Sequence, residues 1–203
     1  MCSSDLLESI LKANKSVKAY DSIIRTHKLL DTVRQNTKKV LTCNGDDHKD
    51  YDNITKYVSG YCLFNARLSH GISIPPADQA IIDSIDRVVN KVEPLNEPVC
   101  LFHGFEKYMH YTIQDNKVNV PGILSKTISL NVAKRFATSE DYFQPKYLVV
   151  YYERGSKQIH HDIRMFDQEF KFLTHSNETL KITKVCKYFE GFLQLHTFYV
   201  CCT

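Results

Sequence analysis

The stretch GILSKTISLNVAKRFA, Gly122 to Ala137, changes texture in a way that decides the fold class. Gly122, Ile123 and Leu124 read as a strand that ends in the hydroxyls of Ser125 and Thr127, and a short helix containing VAKRFA begins near Asn131. Two other segments belong with it. LFHG, Leu101 to Gly104, places a polar side chain at a strand end before a glycine, and DQEFKFL, from Asp167, is a strand led by an acid. The whole region from Val99 onward consists of short runs rich in Val, Ile, Tyr and Phe separated by turn residues, predicting strands at 99–102, 111–113, 122–124, 147–152, 169–173, 180–185 and 192–200.

The residues ahead of Val99 have a different period. Ser4 and Asp5 cap a helix carrying Leu6, Leu7, Ile10 and Leu11, and a second helical segment carries Ile23, Ile24, Leu30 and Val33 and ends near Cys43. Asn44 to Asp50, NGDDHKD, has turn formers and charge without an apolar anchor and reads as a linker. Ile54, Tyr57, Val58, Tyr61, Phe64 and Leu68 then form one amphipathic stripe, and Pro76 opens a further helix through Ile81, Ile82, Ile85, Val88, Val89 and Val92 that Pro94 stops. Helices first and strands later predict an α+β fold with largely antiparallel strands, divided into a helical extension (1–45) and a main domain (46–203).

Composition narrows the function classes. The chain of 203 residues is 43% hydrophobic and 24% charged, with 7 Gly and 6 Pro, which excludes fibrous and disordered classes. A formal net charge of +3 is too mild to point to nucleic acid or an anionic membrane as partner, and no apolar run approaches the ~18 residues of a membrane span. The 7 cysteines form no CxxC pair, so free thiols in a reducing, cytoplasmic compartment are expected. His160 and His161, with His110, His175 and His196, lack a ligand spacing, and no metal is expected. No GxGxxG or GxxxxGK[ST] phosphate loop is present.

Taken together, LFHG, the Ser125-Lys126-Thr127 strand with Ala133 and Phe136 after it, and the Glu169-headed strand resemble the mono-ADP-ribosyltransferases of the binary-toxin and arginine-modifying class. Tyr51, Asp52, Tyr57, Asn65, Arg67 and Leu68 echo the family's first helix, and the resemblance covers about Tyr51 to Val185. It implies the ADP-ribosyltransferase fold, two packed and mainly antiparallel β-sheets framing an NAD cleft, and transfer of ADP-ribose from NAD to a protein side chain with release of nicotinamide.

The same resemblance implies the roles. Cleaving the nicotinamide–ribose bond develops positive charge on the sugar, and Glu169 is the carboxylate that would stabilise it, with Ser125 bracing Glu169 by a hydroxyl hydrogen bond. Asp167, two residues earlier, favours an arginine acceptor by charge complementarity. His103, Gly104, Arg67, Asn65, Ser125 and Thr127 would contact NAD, and Tyr142 and Phe143 would stack on its nicotinamide. His103 departs from the class, which has arginine there. Imidazole has fewer donors and is mostly uncharged at pH 7, although the diphtheria-toxin-like branch does use histidine at this strand position. Arg67 could supply the missing cation. The expected protein is a monomeric, toxin-like effector of viral or bacterial type, acting in the cytoplasm or a host cytosol on an acceptor that the sequence does not name. Two alternatives stay open: an NAD glycohydrolase, and a catalytically inactive protein of the same fold acting as a binding module.

Overall fold

The structure is a computed structural model that describes residues 18–42, 47–59, 63–106, 109, 111–161 and 171–203. The helix expected over Leu6 to Leu11, and both Asp167 and Glu169, lie outside the described residues.

Four helices precede the sheet: α1 (Lys18–Thr42), α2 (Asp47–Val58), α3 (Leu63–Ser69) and α4 (Pro76–Lys91). In α4, Ile81, Ile82, Ile85, Val88 and Val89 fall at helical intervals and are all buried, so one stripe meets Ile54, Tyr57 and Val58 of α2 and Phe64 of α3. The single stripe expected from Ile54 to Leu68 is thus carried by two helices. The expected linker over 44–50 also needs correction, because α2 starts at Asp47 and Asp50 is buried. Across from it on α4, Arg87 donates to both carboxylate oxygens of Asp50, at 2.6 and 3.1 Å. Burial alone would raise the Asp50 carboxyl, but the Arg87 and Ser84 hydrogen bonds hold it below its ordinary value. A charged sequence that reads as solvated loop is helical because its counter-charge sits on a neighbouring helix.

The strands are β1 (Val99–Gly104), β2 (Thr112–Gln114), β3 (Lys117–Asn119), β4 (Ser125–Thr127), β5 (Lys146–Tyr152), β6 (Lys171–Leu173), β7 (Thr179–Glu190) and β8 (Gln194–Cys202), with helix α5 (Leu130–Glu140) between β4 and β5. They form one hydrogen-bonded order, β2-β3-β7-β8-β5-β1-β4-β6, antiparallel except where β5 meets β8. The expected two sheets are therefore joined in one continuous ladder. β3 was not expected; it returns from β2 through Asp115 and Asn116, both at positive φ (51° and 58°), the backbone of a tight hairpin. The strand expected at 122–124 is displaced to Ser125–Thr127. Its cause is Asn65, whose Oδ1 accepts from Ile123 N (3.0 Å) and whose Nδ2 donates to Ile123 O (2.7 Å), occupying the groups a ladder would need.

One face of the sheet packs Leu101, Leu124, Leu148, Val150 and Phe172 against Leu30 and Val33 of α1, so α1 shares its core with the strand region. The other face packs Phe102, Tyr147, Val149 and Phe198 against Leu130, Ala133 and Ala137 of α5. Helix α5 is capped by Ser129, whose hydroxyl accepts from Val132 N. It crosses β1 so closely that a Cβ on Gly104 would run into the Ala133 carbonyl and lie 2.8 Å from Ala137 N. The glycine of LFHG is thus required by the packing of α5. Gly104→Ala is expected to cost about 2–3 kcal/mol and to lower the melting temperature by roughly 5–10 °C in calorimetry.

Candidate active site

Ser125 stands on the short strand β4 and is held from two sides. Its hydroxyl lies 3.1 Å from the Tyr57 oxygen, and its carbonyl accepts the Nδ1 proton of His103 at 2.7 Å. Tyr57 itself donates to Ile123 O at 2.8 Å and accepts from Asn65 Nδ2 at 3.2 Å. With the Tyr57 proton committed to Ile123 O, the Ser125 hydroxyl gives its own proton to Tyr57 and turns lone pairs outward.

The same accounting settles His103. Because Nδ1 donates to a carbonyl, a neutral ring has Nε2 as acceptor, and the Tyr111 hydroxyl donates to it at 2.6 Å. The ring is 6% exposed. Burial pushes it down to about 4, the Ser125 carbonyl opposes that shift and the nearby Lys126 charge adds to it. His103 is therefore a neutral, fully bonded imidazole at pH 7, and both of its nitrogens point at protein atoms.

Pairing divides the expected site residues between two faces. Phe102 is directly opposite Thr127, so Thr127, Ser125 and Gly104 share one face of the sheet, while His103 and Lys126 lie on the other. Thr127 is buried, and its hydroxyl accepts from Ser129 N at 3.1 Å. Asn65 spends its amide on Ile123 and Tyr57, and its Oδ1 would collide with a Cβ on Gly122, which is at φ 79°. Arg67, two residues further along α3, is roughly 200° around the helix from Asn65 and is exposed. Tyr142 and Phe143 are exposed and meet edge to face at 5.5 Å, with Leu195 N donating to Phe143 O at 2.8 Å. Their loop leads from α5 into β5 and lies beside the start of β8, while the Ser125 hydroxyl meets Tyr57 of α2.

Strand β6, which Glu169 precedes by two residues, is fixed on several sides. Thr127 pairs with Lys171 and Ser125 with Leu173. On its other edge Leu173 and Ile159 exchange backbone hydrogen bonds at 2.9 and 3.0 Å, and His160 Nδ1 donates to Lys171 O at 2.6 Å. Lys171 Nζ reaches Val58 O at 3.2 Å.

Three contributors had no role in the sequence reading, although Tyr57 and Lys126 stood in its motifs. Tyr111 lies eight residues from His103 on a different segment and Tyr57 lies 66 residues from Ile123, so no pattern within one element joins them to their partners. Lys126 projects from β4 on the His103 face, wholly buried, and donates to Thr174 Oγ1 and Glu178 Oε2, both at 2.6 Å, while Tyr152 donates to both Glu178 oxygens at 2.9 and 3.0 Å. Burial pulls the Lys126 ammonium below its ordinary value and Glu178 opposes the shift. Among the described residues no group of His, Cys, Asp and Glu is placed to hold a metal ion, and no helix is long and apolar enough to cross a membrane.

The folded value of about 4 for His103 against the ordinary 6.5 means that the unfolded chain binds the extra proton between those limits. The stability tied to this neutral ring is complete above pH 6.5 and lost as pH falls toward 4, roughly 3 kcal/mol in all. Urea midpoints measured across that window should show the slope in the parent and a much shallower one in His103→Gln.

No protein-family model matches the chain, and no curated protein matches it. Solved structures do. Plx2a, an ADP-ribosyltransferase toxin from Paenibacillus larvae, superposes with a TM-score of 0.62 at 14% identity over 88% of this chain and 96% of its own. The ADP-ribosylating toxin BECa of C. perfringens, solved with NADH, gives a TM-score of 0.63 at 13% identity over 89% of this chain and 48% of its own. Exoenzyme S from Pseudomonas aeruginosa, solved with human 14-3-3 protein beta and carba-NAD, gives 0.54 at 15% identity over 86% and 88%. With the strand order, the capped helix after β4 and the helices ahead of the sheet, these likenesses show that the chain has the fold of the ADP-ribosyltransferase toxins.

Proposed function

We propose that the chain transfers ADP-ribose from NAD to a protein side chain, arginine being the favoured acceptor, and releases nicotinamide. The observation that carries this reading is the pairing of β4 with β6. It joins the strand of Ser125 and Thr127 directly to the strand that Asp167 and Glu169 lead into, in a chain whose fold neighbours include toxins seen with NADH and carba-NAD.

NAD would supply the scissile bond between nicotinamide and ribose, and the rest is the work of the chain. Glu169 is the carboxylate proposed to face the ribose, where charge develops in the transition state. In sequence Glu169 comes two residues before Lys171, the partner of Thr127. Ser125 is opposite Leu173, four residues away from Glu169. Ser125, its lone pairs outward, is the hydroxyl proposed to brace Glu169, and Thr127 is proposed to contact NAD. His103 acts here as a positioning residue that fixes the Ser125 carbonyl, and Gly104 as the small residue that lets α5 approach. A neutral His103 leaves pyrophosphate charge to other groups, and Arg67 is the exposed cation proposed to meet it.

That neutrality also favours a second reading, in which the fold binds a partner without turning over NAD. Adenine-labelled NAD incubated with the chain and a cell lysate separates the cases. Label on a protein supports transfer, free ADP-ribose supports hydrolysis, and bound but uncleaved NAD supports the inactive reading. Glu169→Gln should reduce nicotinamide release by at least about a hundredfold while leaving the melting temperature and NAD affinity nearly unchanged, since the carboxylate acts chiefly on the transition state. Equal turnover by the variant and parent would remove Glu169 from the reaction.

A further inference from the structure

Strand β7 has an open edge for most of its length. β8 runs along one side of it from Lys181 to Glu190, whereas β3 covers the other side only from Thr179 to Lys181, and Ile182 N is spent on Asn116 O at 2.7 Å. Thr183 is the extra residue of a bulge. Beyond it, Lys184 to Glu190 pair one to one with β8 and meet no second strand among the described residues. This regular stretch presents backbone groups without a ladder partner, and such an edge is a template for another strand.

The side chains along the edge sort by face. Lys184, Cys186, Tyr188 and Glu190 are opposite Val200, Phe198, His196 and Gln194 and share the face of α5. Val185, Lys187 and Phe189 lie on the other face, where Val185 is 48% and Phe189 68% exposed. Glu190 is bonded to Lys134 at 2.7 Å, yet its side chain is 51% exposed and open to a second cation. Lys184 and Lys187 are exposed and have no carboxylate partner among the described residues.

These positions fit a second copy of the same strand. A two-fold axis normal to the sheet keeps every residue on its own face, so opposing residues of two antiparallel copies are an even number of positions apart. Centred on Lys187, the pairing uses the whole stretch 184–190. Centred on Cys186 or earlier, it runs into the Thr183 bulge and the β2–β3 hairpin bonded at Ile182, and centred on Tyr188 it keeps only 186–190. In the longest unobstructed register Lys184 faces the partner's Glu190, Val185 the partner's Phe189 and Cys186 the partner's Tyr188, each twice by symmetry. Only Lys187 meets its own copy. Lysines on an edge ordinarily discourage pairing, but here Lys184 finds a carboxylate and the exposed apolar side chains cover each other. An unrelated strand would have to supply this order of charge and apolar groups, which β7 carries in reverse.

We propose that two copies of the chain associate through their β7 edges, antiparallel about Lys187, into one continuous sheet. A single strand pair buries less than the ~1,600 Å² of a standard interface, so the dimer is a weak one, with a Kd of roughly 10–100 μM. It departs from the monomer expected from the sequence, goes beyond the NAD reading and does not depend on it.

The test is sedimentation velocity of the full chain from about 1 μM to about 1 mM, in reducing buffer so that thiols do not cross-link. The parent should pass from monomer to dimer across that range. Lys184→Glu sets carboxylates against each other at both ends of the pairing and should weaken the dimer about tenfold or more. Lys187→Thr removes the like charges on the axis, places a β-branched residue there and should tighten the dimer about threefold. Both side chains are exposed, and an unchanged melting temperature shows that each variant folds. A parent that stays monomeric overturns the proposal, as does a dimer that Lys184→Glu leaves intact or that Lys187→Thr fails to tighten.

Discussion

The backbone of Ile123 and Ser125 is satisfied by side chains as much as by strand pairing, and the candidate site depends on that. Asn65 takes both the N–H and the C=O of Ile123, Tyr57 adds a second donor to the same carbonyl, and His103 donates to the carbonyl of Ser125. A strand of three residues is too short to be held by its own ladder, with each net hydrogen bond worth about 1 kcal/mol. These buried partners give β4 its register. Because each would leave a desolvated group unpaired if removed, the cost of losing one exceeds the gain from having it.

From that arrangement follows the separation of roles across the sheet. On the face that meets α5 and Tyr57 of α2, Ser125 and Thr127 run beside β6, the strand that the candidate carboxylate precedes. On the opposite face His103 and Lys126 are bonded to protein groups, one neutral between a carbonyl and a phenol, the other charged against Glu178. On the neighbouring strands β1 and β4 these two basic side chains share one face, and burial lowers both, but only Lys126 has a carboxylate, Glu178, within reach to oppose that shift. The polar face that looks most like a site in the sequence is thus partly an internal brace. The proposed chemistry lies on the face where hydroxyls adjoin the strand led by Glu169.

Some of this was legible in the residues. The apolar stripes of α1 and α4, the alternating runs of β1, β5, β7 and β8, and the helix after Thr127 carry periodicities that survive folding because each has one face to bury. The errors share a cause. Asp50 reads as linker until Arg87 is across from it, Gly122 to Leu124 read as strand until Asn65 takes the backbone of Ile123, and Lys117 to Asn119 are too short a strand to announce themselves without the turn before them.

By itself the sequence determined the order of elements, the α+β class and the three segments whose combination resembles a transferase, since these depend on spacing along the chain. Only the tertiary structure decided that Gly104 makes room for a helix, that the two nitrogens of His103 are spent, and that Ser125 and Thr127 face away from that ring. The reason is physical: which face a side chain occupies, and whether a partner remains for each donor and acceptor, is settled by groups brought together from distant parts of the chain, and desolvation then sets their charge.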